Sequence, residues 1–193
     1  MRTRPTSTHP AAFLDRDGTI NVDTHYPRHP DDVALVPGAA EAIARLNAAG
    51  IPVIVVSNQS GIGRGYLTLA DYERVRLRLD ELLAAHGARV DATYICPHAP
   101  PESPDEPSCE CRKPGTLLYR NAATDHAIDL SRSWFIGDRW RDIAAALALD
   151  GRGILVPGRE TPDDDIRRAR RDMIVEPTLG KAVERVIADC GGS

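Results

Sequence analysis

Hydrophobic residues along the chain fall into two alternating rhythms. Residues 11–14 (AAFL) are a short apolar run that stops at Asp15. Residues 51–56 (IPVIVV) are β-branched and almost continuous, as expected of a strand buried on both faces. Residues 92–96, 133–136 and 153–156 supply three further short runs. Between them, residues 38–49, 69–85, 116–126 and 140–149 have helical spacing. The second of these places Tyr72, Val75, Leu79, Leu82 and Leu83 on one stripe. Gly50 and Gly87 fall just past two helix ends, where a left-handed residue is wanted. Strand and helix in alternation mean βαβ crossovers, so the expected fold is α/β, a doubly wound, Rossmann-like parallel sheet of about five strands.

Three stretches break the rhythm. Residues 22–36 contain Pro27 and Pro30 and read as a long loop over the sheet edge. Residues 97–112 hold five prolines and two cysteines, which excludes a helix or a central strand. Residues 159–172 are a charged segment suited to a short surface helix. With 193 residues and no repeat, the chain is expected to be one domain over 1–193.

Composition narrows the function class. Apolar residues make up 42% and charged residues 27%, a globular mix. The net charge of −4 argues against a broad nucleic-acid surface. No apolar run approaches the roughly 20 residues of a membrane span. The basic N-terminal residues 1–7 have no apolar segment behind them, so they read as a frayed lead-in rather than a secretory signal. Four cysteines, three clustered and one alone, do not resemble a disulfide framework, and a reducing cytoplasm is the expected location.

Ligands in open parallel sheets sit beyond the carboxyl ends of the strands. The first run delivers Asp15 and Asp17 there, followed by Gly18 and Thr19. Two carboxylates so close are costly unless a cation shares them. Asp138, from the fourth run, adds a third oxygen donor, and hard oxygens without sulfur or imidazole favour Mg²⁺. Ser57 and Asn58 offer a hydroxyl and an amide, and glycines at 61, 63 and 65 let backbone N–H groups approach an anion. Lys113 can place a cation beside a phosphate. A carboxylate nucleophile, a second carboxyl for proton transfer, a divalent metal, a hydroxyl and a lysine make up the inventory of phosphoryl transfer. Each group has a plainer alternative: Asp138 as a helix cap, Ser57 as a turn residue, Lys113 as a solvated charge.

Cys96-x-His98, ten residues, then Cys109-x-Cys111 supply three sulfurs and an imidazole. That set suits tetrahedral, structural Zn²⁺, which would clip a proline-rich loop (about 96–112) that has no apolar face of its own. The plainer alternative is three reduced cysteines and a capping histidine. Cys190 reads as a bystander on the last helix.

Taken together, FLDRDGT at 13–19, Ser57, Lys113 and GDRWRD at 137–142 resemble the motifs of the haloacid dehalogenase-type phosphatases. The resemblance covers about residues 11–157. It implies Asp15 as the nucleophile that becomes an aspartyl-phosphate, and Asp17 as the acid and then the base. It also implies Mg²⁺ on Asp15, the backbone carbonyl of Asp17 and Asp138, with Ser57, Asn58 and Lys113 on the phosphoryl oxygens. Neither interval that carries a cap domain in this superfamily has room for one here, so a capless enzyme is expected. The CPH…CxCRKP pattern is similar to the capless histidinol-phosphate and heptose-bisphosphate phosphatases. The turn NQSGIGRG at 58–65 is most similar to the heptose-bisphosphate branch, implying a Mg²⁺-dependent 7-phosphatase of a small sugar bisphosphate.

The same resemblance places Asp23, Thr24, His25 and Tyr26 against the sugar, and Ser57, Asn58, Gln59 and Ser60 around the transferring phosphate. Arg112 would set specificity, Arg139 would replace a family lysine, and Arg64 with Arg112 and Arg139 would serve a second phosphate. The chain departs from the pattern where Lys113-Pro114 runs directly into Gly115, two residues shorter than usual. A histidinol-phosphate or broader sugar-phosphate phosphatase is the alternative enzyme. A non-catalytic phosphosugar-binding module is the alternative of another class, opposed by the presence of both Asp15 and Asp17. A monomer is the expected state, with no nucleic-acid or membrane partner.

Overall fold

A computed structural model describes residues 8–102 and 109–190. The expected lead-in at 1–7 and the middle of the proline-rich loop lie outside the described residues. In chain order the strands are β1 (Ala12–Leu14), β2 (Val53–Asn58), β3 (Ala92–Cys96), β4 (Trp134–Gly137), β5 (Arg152–Leu155) and β6 (Ile174–Val175). The helices are α1 (Ala39–Ala48), α2 (Ser60–Gly63), α3 (Leu69–Ala84), α4 (Leu117–His126), α5 (Trp140–Ile143), α6 (Ala145–Ala148), α7 (Asp163–Asp172) and α8 (Leu179–Cys190). All pairings are parallel, in the order β3-β2-β1-β4-β5-β6.

The doubly wound parallel sheet is as expected, but it has six strands rather than about five. The extra one, β6, is two residues long and pairs Ile174 with Ile154 and Val175 with Leu155. Two residues are too few to show a period, so the strand has no signal of its own in the sequence. The expected helix at 140–149 is two short pieces meeting at Ala144. Ile143 packs towards Leu155 and Ala169, whereas Ala145 and Ala146 turn to the cluster around Phe13. Strand β2 begins after Pro52, which has no N–H for the ladder, and carries Ser57 and Asn58 as its own last residues.

Alternation along the strands builds a core on each face of the sheet. Ala12, Leu14, Val53, Val55, Ile136 and Ile154 face α1 and α8. Phe13, Ile54, Val56 and Phe135 face α4. On that side Phe13, Tyr119 and Phe135 form an aromatic trio with ring centroids 5.0 to 5.3 Å apart. Burying each such ring contributes on the order of 2–3 kcal/mol.

Helix α3 starts in a capping box, with Thr68 accepting from Asp71 N and Asp71 accepting from Thr68 N. The stripe predicted on it is buried at Tyr72, Val75, Leu79 and Leu83. Gly50 and Gly87 both have φ of +70°, as their positions past α1 and α3 require. Among the described residues no helix is long and apolar enough to cross a membrane.

Candidate active site

The strand order reverses direction between β1 and β4, which opens a crevice above their carboxyl ends. Asp15 leaves β1 and Asp138 leaves β4 at that crevice, and Asp15 N donates to Ile136 O across the pair (2.9 Å). Oxygens of Asp15, Asp138 and Asp142 lie within 4.8 Å of one another, all three side chains buried. Lys113 reaches into the same group. Its Nζ is 2.5 Å from Asp15 Oδ1 and 2.9 Å from Asp142 Oδ1, and it donates to Val56 O (2.6 Å). Burial works against the ammonium, but Asp142 and Asp15 outweigh it and hold Lys113 charged.

Three carboxyls around one ammonium leave the group short of positive charge. Burial, and then the neighbouring Asp142, push Asp15 up to about 7. The same two causes push Asp138 up to about 6. A divalent cation held by oxygen donors would relieve both, and the donor set is of the kind Mg²⁺ takes. Gly18 is indispensable to this packing. Its φ is +87°, and a Cβ there would stand 2.6 Å from Asp138 Oδ2.

Asp17 belongs to a different set of contacts. It accepts from Arg16 Nε and Nη2 (3.1 and 2.9 Å), from Asn21 Nδ2 (2.9 Å) and from Gln59 Nε2 (2.9 Å). Burial would raise its pKa, but the Arg16 charge and these hydrogen bonds more than cancel that and lower it. Gln59 Nε2 also donates to Ser57 Oγ (2.7 Å), which links the ends of β1 and β2. Asn58 pairs with the Lys113 backbone in both directions, at 2.9 and 3.2 Å, and so fixes the lysine's segment to β2.

An open cleft of about 540 Å³ lies over these groups. Asp15, Asp17, Ser57, Lys113 and Asp138 are at its floor, with Asn58, Gln59 and Ser60 beside them. Asp23, His25 and Tyr26 line one wall, and Arg64, Arg112 and Arg139 are all part of the lining. Of the residues expected at the site, Thr24 is the one that does not line the cleft. His25 N turns in to donate to Asp23 Oδ1 (2.8 Å), with His25 at φ +63° and Thr24 exposed at the bend.

Sequence reasoning assigned no role to Arg16, Pro27, Pro100, Arg141 or Asp142. Asp142 stands in the GDRWRD motif itself, where the turn of α5 returns it to the Lys113 ammonium. Arg16 sits between the two aspartates, where nothing in its type or spacing sets it apart from a solvated charge.

The second cluster stands at the end of β3. Cys96 Sγ is 3.4 Å from Cys109 Sγ and 3.2 Å from Cys111 Sγ, with His98 Nδ1 3.2 Å from Cys111 Sγ. Zn–S bonds of about 2.3 Å at tetrahedral angles give edges of about 3.7 Å, so the four atoms are grouped as ligands of one metal would be. Burial, and then hydrogen bonding from Cys111, push Cys96 up to about 12. Burial also works upward on Cys109, but hydrogen bonds from Cys96 and Cys111 bring it down to about 7. Arg112 Nη1 donates to His98 O (3.2 Å), so this loop holds one of the cleft's cations.

Residues 110–182 match the family described as HAD-hydrolase-like. The D-glycero-beta-D-manno-heptose-1,7-bisphosphate 7-phosphatase of Pseudomonas aeruginosa is 41% identical over 160 residues, covering 78% of this chain and 87% of that protein. The protein of the same name from Escherichia coli K12 is 40% identical over 150 residues, covering 76% of this chain and 78% of its own. The chain belongs to the heptose-bisphosphate phosphatase family of haloacid dehalogenase-type hydrolases. The motif resemblance therefore holds, and the chain is a hydrolase of the phosphoric monoester class.

A crystal structure of the D,D-heptose 1,7-bisphosphate phosphatase from B. bronchiseptica, complexed with magnesium and phosphate, superposes with a TM-score of 0.82 at 31% identity. It covers 93% of this chain and 99% of that one. The heptose-bisphosphate phosphatase fold thus extends across nearly the whole chain, beyond the span in which the motifs are legible.

Proposed function

We propose that this enzyme removes the 7-phosphate of D-glycero-D-manno-heptose 1,7-bisphosphate through an aspartyl-phosphate on Asp15. The observation that carries this reading is the Lys113 ammonium 2.5 Å from Asp15 Oδ1, on the floor of a cleft that Arg64 and Arg112 also line. A nucleophile, a phosphate clamp and separate cations for a second anionic group are then within one cleft, and the named relatives act on such a bisphosphate.

In the first step an Asp15 carboxylate oxygen attacks phosphorus and the bond to the sugar oxygen breaks. Asp17, which takes up a proton against the Arg16 pull when the negative charge of the substrate's phosphate arrives beside it, gives that proton to the sugar oxygen. In the second step water attacks phosphorus, Asp17 takes its proton, and Asp15 is released with inorganic phosphate. Ser57, Asn58 and Lys113 hold the phosphoryl oxygens, and Gln59 and Ser60 complete the cradle. Asp23, Thr24, His25 and Tyr26 meet the sugar, with Thr24 reaching it only if the bend at His25 adjusts. Arg64, Arg112 and Arg139 face the remaining anionic charge. Mg²⁺ would be held by Asp15, the Asp17 carbonyl and Asp138, and supplies charge neutralisation at the phosphoryl oxygens when bound. Zn²⁺ on Cys96, His98, Cys109 and Cys111 would be structural, because four protein ligands leave no open position. We take the enzyme to work in the cytoplasm as a single-domain monomer, on a small molecule and not on nucleic acid or at a membrane.

A panel of phosphate esters compared by kcat/KM tests the substrate. Heptose 1,7-bisphosphate is expected to lead the panel. A tenfold preference for histidinol phosphate, about 1.4 kcal/mol at the transition state, would overturn the assignment to the heptose.

A further inference from the structure

Asp15 and Asp17 are the same residue type two positions apart, yet the carboxylate of Asp17 is not part of the metal-competent group formed by Asp15, Asp138 and Asp142. The Arg16 guanidinium holds it elsewhere. Arg16 is 2% exposed, donates through Nε and Nη2 to Asp17, and donates through Nη2 to Gln59 Oε1 (3.1 Å). Gln59 closes the ring by donating back to Asp17 and to Ser57 Oγ. From the far side the guanidinium carbon lies 5.4 Å from the centroid of the Tyr72 ring, which α3 supplies from its buried stripe. Arg16 stands in the bend that follows β1, so its guanidinium lines the same cleft as the two aspartates while its other side meets Tyr72 of α3.

We infer that Arg16 is a positioning residue that sorts the two aspartates into their roles, keeping the Asp17 carboxylate clear of the metal group and beside Ser57 for proton transfer. A planar fork making two parallel bonds fixes both the place and the tilt of a carboxylate. Without that fork, Asp17 keeps only the single contacts from Asn21 and Gln59. The inference rests on the reading of Asp17 as the proton-transfer group.

Leaving groups of different basicity separate this role from general damage. An alkyl phosphate such as a sugar phosphate needs a proton on its leaving oxygen, whereas p-nitrophenyl phosphate does not. Arg16→Met is expected to lose about 10²-fold or more in kcat on a sugar phosphate, with KM changed by less than about threefold. With p-nitrophenyl phosphate the same variant should still release one p-nitrophenolate per site in a rapid burst. Steady-state turnover then slows, because the water step also needs Asp17. Arg16→Lys, which keeps the charge and loses the fork, should fall between wild type and Arg16→Met on both measures, and it decides the matter if Arg16→Met does not fold.

The positioning role is overturned if the burst with p-nitrophenyl phosphate is slowed as much as the first turnover on the sugar phosphate. It is overturned equally if Arg16→Lys or Arg16→Met turns over the sugar phosphate like wild type. Failure of the wild-type enzyme itself to release phosphate would instead sink the phosphatase reading, which keeps the two failures apart.

Discussion

The two groups of metal-competent side chains in this protein are built in opposite ways. Asp15 and Asp138 are delivered by neighbouring strands, and Asp142 by the turn that follows, so the sheet has already fixed their spacing. Cys96 alone of the second group stands on a strand; His98, Cys109 and Cys111 belong to a loop whose described residues form no helix or strand. At the carboxylates the scaffold brings like charges together and a metal would relieve them. At the sulfurs the ligands bring the chain together, and a metal would hold the loop. The first arrangement trades stability for chemistry, and the second does the reverse.

Substitution at each centre should therefore move a different quantity. Asp15→Asn removes the proposed nucleophile and should lower kcat by at least about 10³-fold. Folding should survive, because an amide relieves the mutual repulsion of the buried carboxyls. A steady-state assay beside a thermal melt reads both. Turnover within tenfold of wild type would remove Asp15 from the reaction. Cys111→Ser should do the converse: a loss of about 3 kcal/mol or more, roughly 10 °C in melting temperature. One equivalent of zinc should disappear by elemental analysis. Part of the activity should persist, weakened through Arg112, whose guanidinium donates to His98 O. A Cys111→Ser protein with unchanged melting temperature would mean that the loop is held by something other than its sulfurs.

The sequence exposed these two centres unequally, and for physical reasons. Asp15, Asp17, Asp138 and the four sulfur and imidazole ligands are chemically rare in their settings, so spacing alone singles them out. The alternating strands and helices were equally plain, since each buries a periodic apolar face. Asp142 and Arg16 were not, because each acts through a neighbour and carries no periodic or compositional mark. The pairing of Arg16 with the Tyr72 ring joins residues far apart in the chain, and only folding brings them together. Strand β6 falls below the length at which a period exists at all, and the left-handed bend at His25, which leaves Thr24 out of the cleft lining, cannot be read from residue type.

Glycines sharpen the contrast at smaller amplitude. A Cβ on Gly63 would stand 2.5 Å from Ala99 N and 2.7 Å from Pro97 O, where α2 meets the sulfur loop. Gly63→Ala should cost about 1–3 kcal/mol of stability through that overpacking. A Cβ on Gly18 meets Asp138 instead, so Gly18→Ala should reduce activity, and raise the Mg²⁺ needed for half-maximal rate, more than it lowers the melting temperature. Equal stability losses with no difference in metal requirement would erase the distinction between the two centres.

A last contrast concerns pH. Asp15 and Asp138 are raised from the ordinary 3.8 to about 7 and about 6, by burial first and then by Asp142. Between about pH 4 and 7 the folded chain therefore keeps protons that the unfolded chain has lost. Stability without added Mg²⁺ must fall as pH rises through that window. The sulfur centre carries the opposite dependence, since its ligands bind metal only after losing protons and hold it better at higher pH. Urea midpoints at pH 5 and pH 8 in zinc-loaded Cys-intact protein, with and without Mg²⁺, separate the two. Mg²⁺ should raise the midpoint at pH 8 and do little at pH 5, where the carboxyls are already protonated. Asp15→Asn should flatten most of the difference. A Mg²⁺ effect that is as large at pH 5 as at pH 8 would show that the carboxylates are not strained in the folded chain.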